Sequence, residues 1–295
     1  MRVTDNMRVG SALTNLSSLR SQHLRATREA STGLRVLAPS DDPAAAARLT
    51  RIQRMQSDGE AISRSLAMGR IDLELAEGTL ASSAELMKRA KELAMTASND
   101  ALPADARASI ADEVASLREA LRALANTKGS RGSLFAGSKT DAEAFDASFT
   151  FQGDDYEHSI RSGGNSQVTI NASGARAFTA AGGRDIFADL EALETALRNN
   201  DGASVRASLD LLDQGHEQIT RERARTGVQL NRLAQGEEIL SELNYLYESQ
   251  KSEVAGVDPA ESYSKLITLE QAVQRSISVT ERLLSLSGQY LFSGQ

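Results

Sequence analysis

The 295 residues include no Cys and no Trp, 4% aromatic and 40% hydrophobic side chains, and a formal net charge of −7 with a pI near 5.2. Disulfides, thiolate nucleophiles and Cys-based metal sites are therefore excluded, and the acidic balance opposes nucleic-acid binding, which needs a clustered positive face. The apolar content suffices for real cores, but its Ala, Ser, Leu and Gly bias suits thin helical seams better than a thick globular interior.

The opening Met1-Arg2-Val3-Thr4-Asp5-Asn6-Met7 holds no apolar run, and no stretch of eighteen apolar residues occurs anywhere. Neither a cleaved signal peptide nor membrane insertion is expected, which leaves a cytosolic protein or one exported by a route that reads no cleaved signal. A first helical segment carries Val9, Leu13, Leu16 and Leu24. Residues 1–35 contain six Arg against Asp5 and Glu29, a local +4 that reads as a solvated helix face. Gly33, after Ser31-Thr32, has the character of a helix C-cap. Pro43 after Asp42 and Pro259 after Asp258 read as first helical residues behind Asp N-caps. One helix should end near residue 32 and the next begin near 43.

Residues 44–98 carry Ile52, Gly59, Leu66, Leu73, Leu80, Met87 and Ala94 at an unbroken spacing of seven, shadowed by Met55, Ile62, Gly69, Ala76, Ser83, Ala90 and Ala97. That is a coiled-coil seam, on the order of 80 Å long at about 1.5 Å per residue. A shorter helix follows Pro103, with Ile110, Val114, Leu117, Leu121 and Leu124 on its apolar side. Residues 134–184 change character. Phe149 and Phe151, then Val168 and Ile170, alternate with polar neighbours at period two and predict strands, with Gly153-Asp154, Gly163-Gly164-Asn165 and Gly182-Gly183 as turns. A small β domain at the far end of a rod, dispensable for the rod itself, is the expectation. A second seam runs through Leu212, Ile219, Thr226, Leu233, Leu240, Tyr247 and Val254, and the last segment offers Leu266, Val273, Ile277, Thr280, Leu284 and Leu291.

The predicted fold is mainly α, an elongated antiparallel helical, coiled-coil rod with its N- and C-terminal helices paired and a small β-rich insert. Its expected divisions are terminal helices 1–38 and 259–295, a rod domain 39–133 and 185–258, and an insert 134–184.

No constellation for chemistry emerges. His23, His158 and His216 are far apart and none has a His, Asp or Glu at a recurring metal-ligand spacing; His23 and His216 fall on helices, where a polar surface or a satisfied seam position accounts for them. Asp41-Asp42 and Asp154-Asp155 read as caps and turns rather than cation sites. Gly129-Ser130-Arg131-Gly132-Ser133 looks like an anion loop but has neither the preceding strand nor the Lys-Ser/Thr of a P-loop. Asn171-Ala172-Ser173 fits a glycosylation acceptor that is common by chance. No enzyme activity, cofactor or metal is expected.

The run from Ser31 to Ala46, with Gly33, Ser40, Asp41, Asp42 and Pro43 at its centre, resembles the N-terminal signature of the bacterial flagellin superfamily. The first seven residues, and Leu134-Phe135-Ala136-Gly137-Ser138-Lys139-Thr140 followed by Phe145 and Gly153-Asp154, resemble its hook–filament junction branch more than filament flagellin. The stretch from Val279 to Ser287 also fits the superfamily. Two departures stand out. Pro43-Ala44 replaces the usual Ala-Ala-Gly-like sequence, and Gly288 to Gln295 continue beyond the usual stop.

The resemblance implies a non-enzymatic structural protein of the bacterial flagellum, exported unfolded without a cleaved signal, whose terminal helices form the inner wall of a hollow axial structure. Its implied partners are other copies of itself in a ring, a neighbouring hook-associated protein, flagellin and an export chaperone. The assembly interface would comprise Val9, Leu13, Leu16, Leu24, Val273, Ile277, Leu284 and Leu291. Filament flagellin would share these ends, and a cytosolic coiled-coil adaptor or signalling rod would explain the heptads without export.

Overall fold

The computed structural model describes the backbone of residues 2–163 and 166–292, and side-chain surroundings for residues 7–163 and 166–285. Its elements run α1 (Arg2–Thr32), α2 (Pro43–Ala97), α3 (Ala104–Ala125), β1 (Lys128–Gly129), β2 (Gly132–Ser133), β3 (Ser159–Gly163), β4 (Ser166–Thr169), α4 (Gly174–Phe178), α5 (Ile186–Arg198), α6 (Gly202–Ala255) and α7 (Pro259–Phe292). The fold is mainly α with two small antiparallel hairpins, β1–β2 and β3–β4. The chain gathers into two compact units, Met1–Ser57 with Asn244–Gln295, and Asp58–Leu243.

Helix ends follow the local chemistry. Asp42 Oδ1 accepts the N–H groups of Ala44 at 3.1 Å and Ala45 at 3.0 Å, and Pro43 leaves no donor unpaired at the first helical position. Asp258 Oδ1 accepts the Ala260 N–H at 2.8 Å ahead of α7. Gly33 ends α1 at φ +69°, a left-handed conformation that costs Gly no Cβ clash.

In the unit Asp58–Leu243, Leu66, Leu73, Leu80, Met87 and Ala94 of α2 are buried, as are Gly69, Ala76, Ser83, Ala90 and Ala97 beside them. Leu212, Ile219, Thr226, Leu233 and Leu240 of α6 are buried too. The two segments run antiparallel, a register marked by Arg70–Glu237 at 3.3 Å, Arg223–Glu77 at 2.6 Å and Lys91–Asp213 at 2.6 Å. Being exposed, these ion pairs mark register more than they stabilise; the seams do the latter. Helices α3 and α5 form a second antiparallel pair, tied by Arg118 to Glu191 and Glu194 and by Arg198 to Asp112 at 2.8 Å.

The insert departs from expectation in two ways. Phe149 and Phe151 do not form a strand. Asp146 Oδ1 accepts the N–H groups of Ser148 at 2.8 Å and Thr150 at 3.0 Å, folding the chain into a turn in which Phe149 sits at φ +61°. Phe151 retains a single bridge to Phe145. Val168 does lie in β4, with Ile170 just beyond it. Second, residues 134–184 share their core with the helices: Phe135, Phe145 and Phe178 are fully buried in one cluster with Leu80, Met87, Leu121, Leu190 and Leu212. The insert also flanks the seam rather than capping its end. A Cβ on Gly69 would lie 2.7 Å from Ile170 Cγ2, and one on Gly236 would lie 2.9 Å from the Ser162 carbonyl, so both helices are approached where they carry glycine. The aromatic side chains of the insert are part of this unit's core.

Candidate assembly surface

The unit Met1–Ser57 with Asn244–Gln295 is built on a different scale. Helices α1 and α7 pack antiparallel, and the inward column of α1 is Val9, Ala12, Leu16, Leu19, His23 and Ala26. That of α7 is Ser262, Leu266, Leu269, Val273, Ser276, Thr280 and Leu283. Only Ala26, Ser262 and Thr280 of these are fully buried, because two helices without a third layer leave half of each side chain wet. The column mixes Ala, Ser, Thr and His with Leu and Val, so a scan for large apolar residues finds only part of it.

A buried charge links the pair. Glu29 lies in the last turn of α1 with a side-chain exposure of 6%, and it accepts from Arg25 Nε at 3.2 Å and from Lys265 Nζ of α7 at 3.0 Å. The turn after α1 is then tied to the start of α7. Arg35 N donates to Ala255 O at 2.6 Å, Val257 N donates to Gly33 O at 3.1 Å, and Leu34 bridges Gly256. Asp41 Oδ2 accepts from Ala38 N at 2.9 Å and Leu37 N at 3.2 Å, and these donors hold its carboxyl below the ordinary aspartate value, with help from Arg25. Asp42 is held low first by the Ala45 N–H and then by Arg35, 3.3 Å away. The Asp pair therefore fixes the turn and the α2 N-terminus, and Gly33 reverses the chain before it; Ser40 is an exposed member of the same turn.

The expected interface residues separate into two sets. Val9, Leu16, Val273 and Ile277 are half-buried. Leu13, Leu24 and Leu284 are exposed, at 49%, 60% and 48%. The side chain of Leu291 lies outside the described residues, as do those from 286 onward. Three residues absent from the expected set, Tyr263, Ile267 and Val279, present further apolar surface on α7.

Elsewhere the polar clusters satisfy themselves. The anion loop after β1 does hold an anion, the buried Asp72 carboxylate, which accepts Ser130 N at 2.8 Å, Ser130 Oγ at 2.9 Å and Arg131 Nε at 3.0 Å. His158 Nε2 lies 3.0 Å from Gly137 O, and His216 Nδ1 lies 3.2 Å from Ala84 O. Asp154 binds Ser138, whereas Asp155 pairs with Arg176 at 3.1 Å. Among the described residues no group of three His, Cys, Asp or Glu is placed to hold a metal ion, and no helix is long and apolar enough to cross a membrane.

Relatives place this architecture. The bacterial flagellin N-terminal helical region matches residues 3–140, and the bacterial flagellin C-terminal helical region matches residues 209–291. The chain is 27% identical to flagellar hook-associated protein 3 of Escherichia coli (strain K12), across 97% of this chain and 98% of that protein. It is 26% identical to the protein of the same description from Salmonella typhimurium, across 94% and 95%. A Clostridium tyrobutyricum flagellin is 32% identical over 50% of this chain and 40% of its own length. In fold, a putative flagellar hook-associated protein from Vibrio parahaemolyticus superposes with a TM-score of 0.68 at 22% identity, covering 73% of this chain and 100% of its own. Bacillus cereus FlgL superposes with a TM-score of 0.60 at 21% identity, covering 68% and 99%. With both helical regions matched at the two ends of one chain, and near end-to-end relatives among the hook-associated proteins, the protein belongs to the bacterial flagellin family.

Proposed function

We propose that this chain is a structural protein of the bacterial flagellum that forms the junction between hook and filament, as a ring of copies on which flagellin polymerises. The observation that carries this reading is end-to-end similarity to proteins described as flagellar hook-associated protein 3, where the flagellin match covers half of the chain. The partners proposed are other copies of itself, a neighbouring hook-associated protein, flagellin and an export chaperone. Its place is the extracellular flagellum, reached through the flagellar export apparatus without a cleaved signal. A structural role leaves no reaction to assign.

In this reading residues 1–38 and 259–295 are the axial assembly segment, 39–133 and 185–258 the helical body, and 134–184 the outer insert. The wet apolar positions of α1 and α7, together with Leu284 and Leu291, become buried on assembly. Placing a carboxylate there opposes assembly by several kcal/mol through burial of an unpaired charge, while an exposed site in the free chain tolerates it. Cells whose sole copy carries Leu24→Asp are expected to release the protein and unpolymerised flagellin into the medium and to be non-motile. Normal motility, or unfolding of the purified variant, would count against α1 as an assembly surface.

A further inference from the structure

We propose that the outer stripe of α1 on one copy docks antiparallel on the outer stripe of α7 on a second copy, Arg28, Leu24 and Arg20 meeting Tyr263, Ile267 and Glu270. The inference rests on the self-assembly reading above and names its contact.

Two sets of residues carry it. Arg28, Leu24 and Arg20 follow one another at intervals of four, so they form one stripe along α1, turned away from the column that α7 covers. Tyr263, Ile267 and Glu270, at intervals of four and three, form the equivalent stripe along α7. All six are exposed, the apolar ones strongly so: Leu24 is 60% exposed, Ile267 55% and Tyr263 57%. Among the described residues Arg20 and Glu270 form no ion pair, unlike Arg25, Glu29 and Lys265 beside them, and the Arg28 guanidinium donates to the Leu24 carbonyl of its own helix at 3.4 Å while its charge helps to hold the Asp41 carboxyl low.

Run antiparallel, the two stripes match rung by rung. A guanidinium meets an aromatic face, Leu meets Ile, and a guanidinium meets a carboxylate. Both halves of this complement lie on the same polypeptide, so a second copy supplies what the first lacks. The α1 stripe carries two guanidiniums and the α7 stripe one carboxylate, so two α1 stripes repel each other and the α1-to-α7 pairing is the one that joins opposite charges.

The absence of Cys makes a direct test possible. One chain carries Leu24→Cys and a second, distinguishable by size, carries Ile267→Cys; both are expressed in flagellated cells with no other copy, and sheared flagella are oxidised and run on a denaturing gel. A mixed dimer is expected, lost when Arg20→Glu is added to the first chain and regained when Glu270→Arg is added to the second. The pairing is overturned, with the assembly reading intact, if both chains reside on flagella without a mixed dimer. It is equally overturned if the crosslink closes only inside a chain carrying both Cys, or if Arg20→Glu leaves the mixed dimer unchanged. Absence of even the unsubstituted chain from flagella would remove the assembly reading and the pairing with it.

Discussion

Lys265 Nζ donates to Glu29 Oε2 at 3.0 Å, a charged contact that joins α7 to α1 across the long sequence gap between them. Glu29 is nearly buried while Lys265 is half exposed, so the carboxylate depends on the pair more than the ammonium does. Replacing Lys265 by Glu sets a second negative charge against it and should weaken the α1–α7 pairing by about 1 to 2 kcal/mol, with Arg25 limiting the damage. Amide hydrogen exchange in α1 is expected to quicken in Lys265→Glu and to change little in Lys265→Met.

The two units should differ in stability. Among the described residues, the large side chains with almost no exposure, such as Leu66, Leu73, Leu80, Met87, Leu121, Phe135, Phe145 and Phe178, all lie in Asp58–Leu243, and the terminal unit buries Val36 and Ile52 and otherwise mostly small or polar groups. Ordering a residue costs roughly 1 to 2 kcal/mol, which a single helix pair barely offsets. Limited proteolysis of the free chain is expected to trim it to about residues 40–255. Survival of residues 1–35 at protease levels that cut loops would contradict this.

Gly69 should not tolerate a side chain. A Cβ there stands 2.7 Å from Ile170 Cγ2, so Gly69→Val must displace β4 from α2, at a cost of about 1 to 3 kcal/mol. A lower denaturant midpoint with unchanged slope is the expected result. Gly78, whose Cβ would meet nothing within 4 Å, is the control that should gain stability as Ala.

The Asp41–Asp42 turn carries an acid dependence. Both carboxyls titrate below the ordinary aspartate value in the folded turn. Their contribution is therefore complete above about pH 4 and is lost as the pH falls through the depressed folded values. Protection of the Ala44 and Ala45 amides against hydrogen exchange, corrected for the intrinsic pH dependence of exchange, should be flat from neutral pH down to that point and then decline. Asp42→Asn, which keeps a cap but no charge, should show a smaller decline.

Much of this architecture is legible because its signals are local. The seams use large residues at a fixed period of seven, and the caps at Asp42, Asp258 and Gly33 are each decided within three residues. The inner face of α1 and α7 is less legible, since Ala12, His23, Ser262 and Thr280 fill positions where a periodicity scan looks for Leu. Alternation alone misleads at Phe149 and Phe151, where the Asp146 side chain captures the backbone before a strand can form. The anion held by the loop after β1 is Asp72, far back in the chain, and nothing near Ser130 announces it. The merging of the insert with the helical core is likewise a long-range fact, set by Phe135, Phe145 and Phe178 finding Leu80 and Leu121.

The central claim is a place, the boundary of hook and filament, and immunogold labelling of isolated flagella measures it most directly. Antibody to the purified chain is expected to mark one narrow band where hook meets filament, and to mark nothing in cells lacking the gene. Label spread along the whole filament would make the chain a filament flagellin instead. Label confined to the cell interior would contradict the account altogether.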